Sequence, residues 1–267
     1  MKEGTKRGQG RRFGVLCGGA VCLLISGGVQ AWGGCEHERK LEESMRVSGD
    51  SLAIVAGAGD LEIIGDPGTD VVAVKARICA SKSEWAEKAG VAMNGEGDAR
   101  VEVIIPKTSG MGGWGDNYLS IDLVVRVPAD LALDVKDSSG DVDMRGVGAV
   151  TIKDSSGDIE ISQAASVVVE DSSGDIELDG ITGDVTVAQD SSGDIRGRDV
   201  GGSVVIARDS SGDIRFRDVS NDFLVERDSS GDVVAQGIGG DFAVLADGSG
   251  EIRHSDVRGS VDIPEKR

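Results

Sequence analysis

One six-residue phrase, written seven times at almost constant spacing, constrains this chain more than any other feature. Asp137-Ser138-Ser139-Gly140-Asp141-Val142 recurs from Asp154, Asp171, Asp190, Asp209 and Asp228. A drifted copy, Asp247-Gly248-Ser249-Gly250-Glu251-Ile252, closes the series. The spacings are 17, 17, 19, 19, 19 and 19 residues. A short fixed period describes one unit stacked on itself rather than an irregular globular core. The 41 glycines suit a chain that turns several times per coil. They follow no Gly-X-Y period, which argues against collagen.

The coil starting at Asp209 shows the unit. Ile214 and Phe216 alternate with Arg215 and Arg217, and Val219 adds a further inward position. Phe223 and Val225 then alternate with Leu224 and Glu226. Period-two alternation over short runs marks half-buried strands. The polar cluster Ser220-Asn221-Asp222 between them reads as a turn. Ile195, Val200, Val204 and Ile206 repeat the inward set, as do Val233, Ala235, Ile238, Phe242 and Val244. The shorter coils keep it with Val142, Met144, Val147, Val150 and Ile152. The expected fold is all-β: a parallel β-solenoid, β-helix-like, with two short strands per 17–19-residue coil. Aromatic residues make up only 3% against 39% hydrophobic, so the core is mainly aliphatic. Phe223 and Phe242 share a position in consecutive coils and are expected to stack inside.

Three segments follow from this reading. Residues 1–31 form a signal peptide, 32–136 an N-terminal cap of degenerate repeats, and 137–267 the regular solenoid. Within the cap, Gly59-Asp60-Leu61-Glu62-Ile63 echoes Gly174-Asp175-Ile176-Glu177-Leu178. Asp70-Val71-Val72-Ala73-Val74 echoes Asp184-Val185-Thr186-Val187. Leu119 to Val127 and Val101 to Ile105 alternate cleanly. A cap is needed because an open stack exposes unpaired strand edges. Ser81 to Lys88 reads as a short helix, with Ser81 and Glu84 at capping-box spacing, or as a loop. Lys107 to Asp116 reads as a mobile Gly-rich loop.

The signal-peptide reading rests on a basic start, an apolar stretch and a small-x-small site. These are Lys2, Lys6, Arg7, Arg11 and Arg12, then Phe13 to Ile25, then Val29-Gln30-Ala31. The expected location is therefore exported: periplasmic, outer-membrane-associated or extracellular. Cleavage removes five positive charges and Glu3, and takes the formal charge from −19 to −23. A chain that acidic repels nucleic acid and favours cationic partners. Cys17 and Cys22 leave with the signal. Cys35 and Cys79 remain, and two cysteines in an exported chain most simply form one disulfide. The other reading makes Cys35 a lipid-modified N-terminus, which excludes that bond.

Stacking sets the repeated acids in two ladders. One runs Asp137, Asp154, Asp171, Asp190, Asp209, Asp228 and Asp247. The other runs Asp141, Asp158, Asp175, Asp194, Asp213, Asp232 and Glu251. Like charges about 5 Å apart repel, so something must offset them. Turn chemistry offers hydrogen bonds from Asp and Ser side chains to the backbone. Lys136, Lys153, Arg208 and Arg227 precede the first ladder, and Arg196, Arg215 and Arg253 follow the second. Ladders of oxygen ligands also suit calcium, so weak calcium binding there is a further expectation. The only histidines are His37 and His254, and Ser-Ser-Gly is not a nucleophile elbow. No phosphate loop, zinc spacing or dinucleotide fingerprint is present. The expectation is no catalytic residue, no cofactor, no dedicated metal site and no enzyme.

The recurring Ser-Gly-Asp-Ile/Val motif resembles a bacterial β-strand-repeat family of unknown function whose members are provisionally named adhesins. It is similar also to the related head domains of auto-transporter adhesins. The resemblance spans roughly residues 50–263 and implies a β-solenoid without catalytic residues. The function expected is an exported, non-enzymatic surface or envelope adhesin presenting a repetitive acidic face to a cell-envelope polymer or surface protein. A structural or envelope-stress component without a ligand is the alternative, and a β-helix carbohydrate-active enzyme is a third.

Overall fold

A computed structural model describes residues 35–107 and 117–264. The segment expected to be a signal peptide, with Cys17 and Cys22, and the Gly-rich stretch 108–116 lie outside the described residues.

The N-terminal part holds β1 (His37–Arg46), β2 (Ser51–Val55), β3 (Leu61–Asp66), β4 (Val71–Ala80), α1 (Ser83–Lys88), β5 (Gly90–Asn94), β6 (Arg100–Ile104), β7 (Leu119–Pro128) and β8 (Ala132–Lys136). The regular coils follow as β9 (Val142–Arg145), β10 (Ala149–Lys153), β11 (Ile159–Ser162), β12 (Ser166–Glu170), β13 (Ile176–Asp179), β14 (Val185–Gln189) and β15 (Ile195–Val200). The series ends with β16 (Val204–Ile206), β17 (Ile214–Val219), β18 (Phe223–Val225), β19 (Val233–Ile238), β20 (Phe242–Val244), β21 (Ile252–Val257) and β22 (Val261–Asp262).

These strands form two 11-stranded sheets facing each other across one core. Sheet A carries the odd-numbered strands from β9 to β21, and sheet B the even-numbered ones from β8 to β22. The regular pairings are parallel and in register, for example Ile195↔Ile214 and Val204↔Phe223, apart from a one-residue shift between Val169 and Glu170 where β12 meets β14. The chain is thus a parallel β-solenoid with two strands per coil. The predicted inward residues are buried throughout, from Val142 and Met144 to Phe242 and Val244. Phe216, Phe223 and Phe242 form a ring stack, with centroids 5.1 Å and 5.5 Å apart.

The cap is built differently from a simple run of early coils. The β2–β3 coil is inserted between the later coils: β2 pairs with both β6 and β8, and β3 with both β7 and β9. The echo at Gly59-Asp60 is genuine, since that turn opens β3 in sheet A as Gly174-Asp175 opens β13. The echo at Asp70 is misleading. β4 does not enter sheet B; it runs antiparallel in sheet A between β1 and β7. Its ten residues bury Val72, Val74, Ala76 and Ile78 over the end of the core. β4 thus extends sheet A and leaves β1 as its edge strand, while α1 packs on β1 and β4 and buries Trp85 and Ala86 at that end.

α1 starts at Ser83, and no side chain caps it. The Ser81 hydroxyl instead accepts the Tyr118 N–H at 3.1 Å, tying the helix entry to β7. Trp85 and Ala86 bury the helix against the cap.

Cys35 and Cys79 form a disulfide across 44 residues of chain, pinning the start of β1 to β4. Closing a loop of that length removes unfolded-state freedom worth about 3–4 kcal/mol. Cys79→Ser is therefore expected to lower the melting temperature by roughly 5–10 °C. A melt unchanged by the substitution or by reductant would contradict this.

Candidate functional site

Each coil turns from sheet B to sheet A through Asp-Ser-Ser-Gly-Asp. Backbone bonds run from coil to coil through this corner, such as Asp190 N–H to the Arg208 carbonyl at 2.9 Å and Gly193 N–H to the Ser211 carbonyl at 3.2 Å. The glycine takes φ near +130°, as at Gly212. That angle swings the chain so that the two aspartates of one turn point in different directions.

The first aspartate points inward. Asp137, Asp154, Asp171, Asp190, Asp209 and Asp228 are all buried, with Asp190 and Asp209 at 0% exposure. The first of the two ladders therefore lies in the interior and adds nothing to an acidic outer face. The residue precedes the glycine kink: Asp137, Asp154 and Asp171 continue the inward phase of the sheet B strand, whereas Asp190, Asp209 and Asp228 follow one extra residue and turn inward three positions after the last buried strand residue. Burial is the main cause that pushes Asp137 and Asp209 up to about 7. It pushes Asp171, Asp190 and Asp228 up to about 6, and raises Asp154. The cations expected to offset this ladder do not pair with it among the described residues. Lys136, Arg208 and Arg227 face outward, and Lys153 pairs with Glu170.

The second aspartate points outward and builds a continuous ladder. The Oδ1 of Asp175, Asp194 and Asp213 accepts the N–H of Asp194, Asp213 and Asp232 on the following coil, at 2.9, 2.8 and 2.7 Å. The pattern runs from Asp122 and Asp60 in the cap through Asp141 to Glu251. The free Oδ2 meets arginine: Arg196 bridges Asp175 and Asp194, and Arg215 reaches Asp213. Arg253 bridges Asp232 and Glu251. The backbone donor on the next coil is the main cause that holds Asp175 and Asp213 below the usual carboxylate range. Repulsion along this ladder is thus offset by amide dipoles and guanidinium groups together.

A third ladder sits at the opposite corner, unforeseen from the repeats. Asp184, Asp222 and Asp241 each accept the N–H of the corresponding residue one coil on, at 2.7–2.8 Å. The same corner places Asp199, Asp218 and Asp256 in the left-handed region, near φ +55°. Aspartate tolerates that region better than most side chains.

Sheet A also carries an outward column that the turn motif does not reveal. Registered pairing aligns Glu62, Asp143, Glu160 and Glu177, and then Arg196 and Arg215. The acidic end of this column opens into a depression of about 480 Å³, lined by Asp60, Glu62, Asp122, Asp141, Asp143, Asp158 and Glu160. Arg145 and Arg77 reach its rim to pair with Glu62 and Asp122. Among the described residues, no three carboxylates or other ligating side chains converge as a metal ion requires. His37 is exposed on β1, and His254 lies against Phe242 with ring centroids 5.8 Å apart.

A known family model, Toastrack DUF4097, matches residues 79–236, from the end of β4 in the cap through most of the regular coils. The chain belongs to the Toastrack DUF4097 family. Among curated proteins, none matches this Toastrack chain significantly. Solved structures similar to it include a candidate adhesin from Bacteroides fragilis, 11% identical, with 85% of this chain and 97% of that one covered and a TM-score of 0.41. A candidate cell adhesion protein from Clostridium sporogenes is 14% identical, with 85% and 100% covered and a TM-score of 0.30. A candidate lipid binding protein from Parabacteroides distasonis is 13% identical, with 86% and 98% covered and a TM-score of 0.37.

Proposed function

We propose that the chain is an exported, non-enzymatic surface or envelope protein of the adhesin type. It holds a basic partner against the acidic end of sheet A. The carrying observation is the depression over β7, β3, β9 and β11, whose lining holds seven carboxylates. Side chains on registered strands keep a fixed spacing, so they are pre-ordered for a partner with repeated amine or guanidinium groups. The net charge, −19 for the full chain and −23 once residues 1–31 are removed, draws such a partner in over a longer range. A cell-envelope polymer or a surface protein can supply those groups. The basic, apolar N-terminal segment supports export to the periplasm, the outer membrane or the exterior.

The test separates binding charge from structural charge. Asp143 and Glu160 face outward at registered positions, so neutralising them leaves the turn ladders intact. Asp143→Asn with Glu160→Gln is expected to weaken capture of the envelope partner roughly tenfold at low salt. The melting temperature should stay within about 2 °C. Pull-down from envelope fractions reads the first quantity. Undiminished capture by the folded double variant would move the contact elsewhere. Protease shaving of intact cells tests surface exposure, and release of no peptides would favour an internal structural role.

A further inference from the structure

The interior aspartates are not needed to bind a partner on sheet A, and their surroundings call for a ligand of their own. Six carboxyl groups, from Asp137 to Asp228, stand one per coil at 0–6% exposure. Strand pairing sets adjacent coils about 4.8 Å apart, so the groups run in single file. Bridges Asp209↔Asp228 and Asp228↔Asp247 hold their register at the C-terminal end.

Their hydrogen bonding is incomplete in a regular way. The Oδ1 of Asp190, Asp209 and Asp228 accepts the N–H of the serine two residues on, at 3.2, 3.3 and 3.0 Å. The Oδ2 of each is buried without a partner, as is that of Asp171. Both oxygens of Asp137 and Asp154 are unpartnered. The charged groups that face the file make this worse. Above and below each member stand other members, with Asp247 at the end. Asp141, Asp158, Asp175 and Asp213 of the outer ladder add negative charge to Asp154, Asp171, Asp190 and Asp228, each from the turn of the preceding coil. Lys136, Lys153, Arg208 and Arg227 are exposed at the ends of the sheet B segments, and Lys153 is held by Glu170.

A buried carboxylate with an empty acceptor and no cation is costly on two counts, charge and hydrogen bonding. One ligand cures both. A protonated carboxyl loses its charge and gains an O–H donor, which can reach the orphaned oxygen of the adjacent coil. A metal ion would need several convergent oxygens, and the described residues offer no such group.

We propose that the interior aspartate file is a proton-binding site, filled as the surroundings acidify, and that the bound protons clamp adjacent coils together. Burial, which lifts Asp209 to about 7 and Asp190 to about 6, agrees with this. These values lie above that of an unfolded aspartate, about 3.9. The folded chain therefore holds more protons than the unfolded chain between about pH 4 and 7, and its stability falls as pH rises through that window. The outer ladder acts below it. Asp175 and Asp213 have lowered values, so the stability from their charge is lost only as pH drops beneath about 4.

Thermal melts of the purified chain should show a melting temperature about 5–10 °C lower at about pH 8 than at about pH 5. Asp209→Asn carries a permanent N–H donor and no charge. It should raise the melting temperature at the higher pH by a few degrees and flatten the pH dependence. Carbon-13 titration of the aspartate carboxyls in the unmodified chain should show slow-exposed members with midpoints near 6–7, and this readout stands even if the variant does not fold. A flat melting profile, or carboxyls that all titrate below about pH 5, would overturn the proposal. So would millimolar calcium or sodium restoring the low-pH melting temperature at high pH, which would make the ligand a metal cation.

Discussion

Gly212→Ala is expected to unfold the solenoid rather than soften it. Gly212 sits at φ +130°, where an L side chain is strained. A Cβ there would also lie 1.7 Å from the Gly193 carbonyl oxygen and 2.5 Å from its carbon. Those atoms belong to the backbone of the previous coil, so no rotamer change relieves the clash. Separating the coils would break the Gly193–Ser211 bond and the neighbouring rungs. Strain and overpacking act together, and the cost should exceed about 4 kcal/mol. Far-UV circular dichroism and denaturant titration measure it. Gly49→Ala is the matched control, since nothing lies within 4 Å of a Cβ at Gly49; it should stay within about 0.5 kcal/mol. A Gly212→Ala chain that loses less than about 1 kcal/mol would show that the coils can spread.

Phe216→Ala should cost about 3–5 kcal/mol, because it removes a fully buried ring from one end of the three-ring stack and leaves a cavity against Phe223. The more telling result concerns its neighbour. Gly197 and Phe216 occupy the same inward position in consecutive coils. The ring extends into the space that Gly197 leaves, and a Cβ at Gly197 would lie 2.0 Å from it. Gly197→Ala alone should therefore destabilise, and it should be far milder where Phe216 is already alanine. A double-mutant cycle should give a coupling of at least about 1 kcal/mol. Additive effects would mean that the ring relaxes freely and that the two positions are independent.

How much of this was legible in the sequence varies by element. Period and alternation were enough for the coils. The inward positions of Ile214, Phe216, Phe223 and Val225 follow from phase alone, because each strand has a buried and an open side, and that of Val219 follows from its recurrence in every 19-residue coil. The fate of the two turn aspartates was not legible. Asp209 and Asp213 look equivalent in the sequence, and only the glycine between them decides which one faces the core. The cap defeated pattern reading for another reason. β4 repeats the composition of a sheet B strand, but its length lets it run antiparallel across the end of sheet A. The acidic depression was readable in principle. Glu62, Asp143, Glu160 and Glu177 hold the same place after the turn, but Asp-Ser-Ser-Gly-Asp draws attention away from the residue that follows the first inward strand position.

The outward column of sheet A changes sign along its length, from Glu62–Glu177 to Arg196 and Arg215, within a parallel stack that has a direction. This face therefore has poles. Near a charged wall the molecule experiences a torque as well as a pull. A basic wall turns the capped end toward itself, and an acidic wall turns the later coils toward itself. Orientation is set before any specific group has touched.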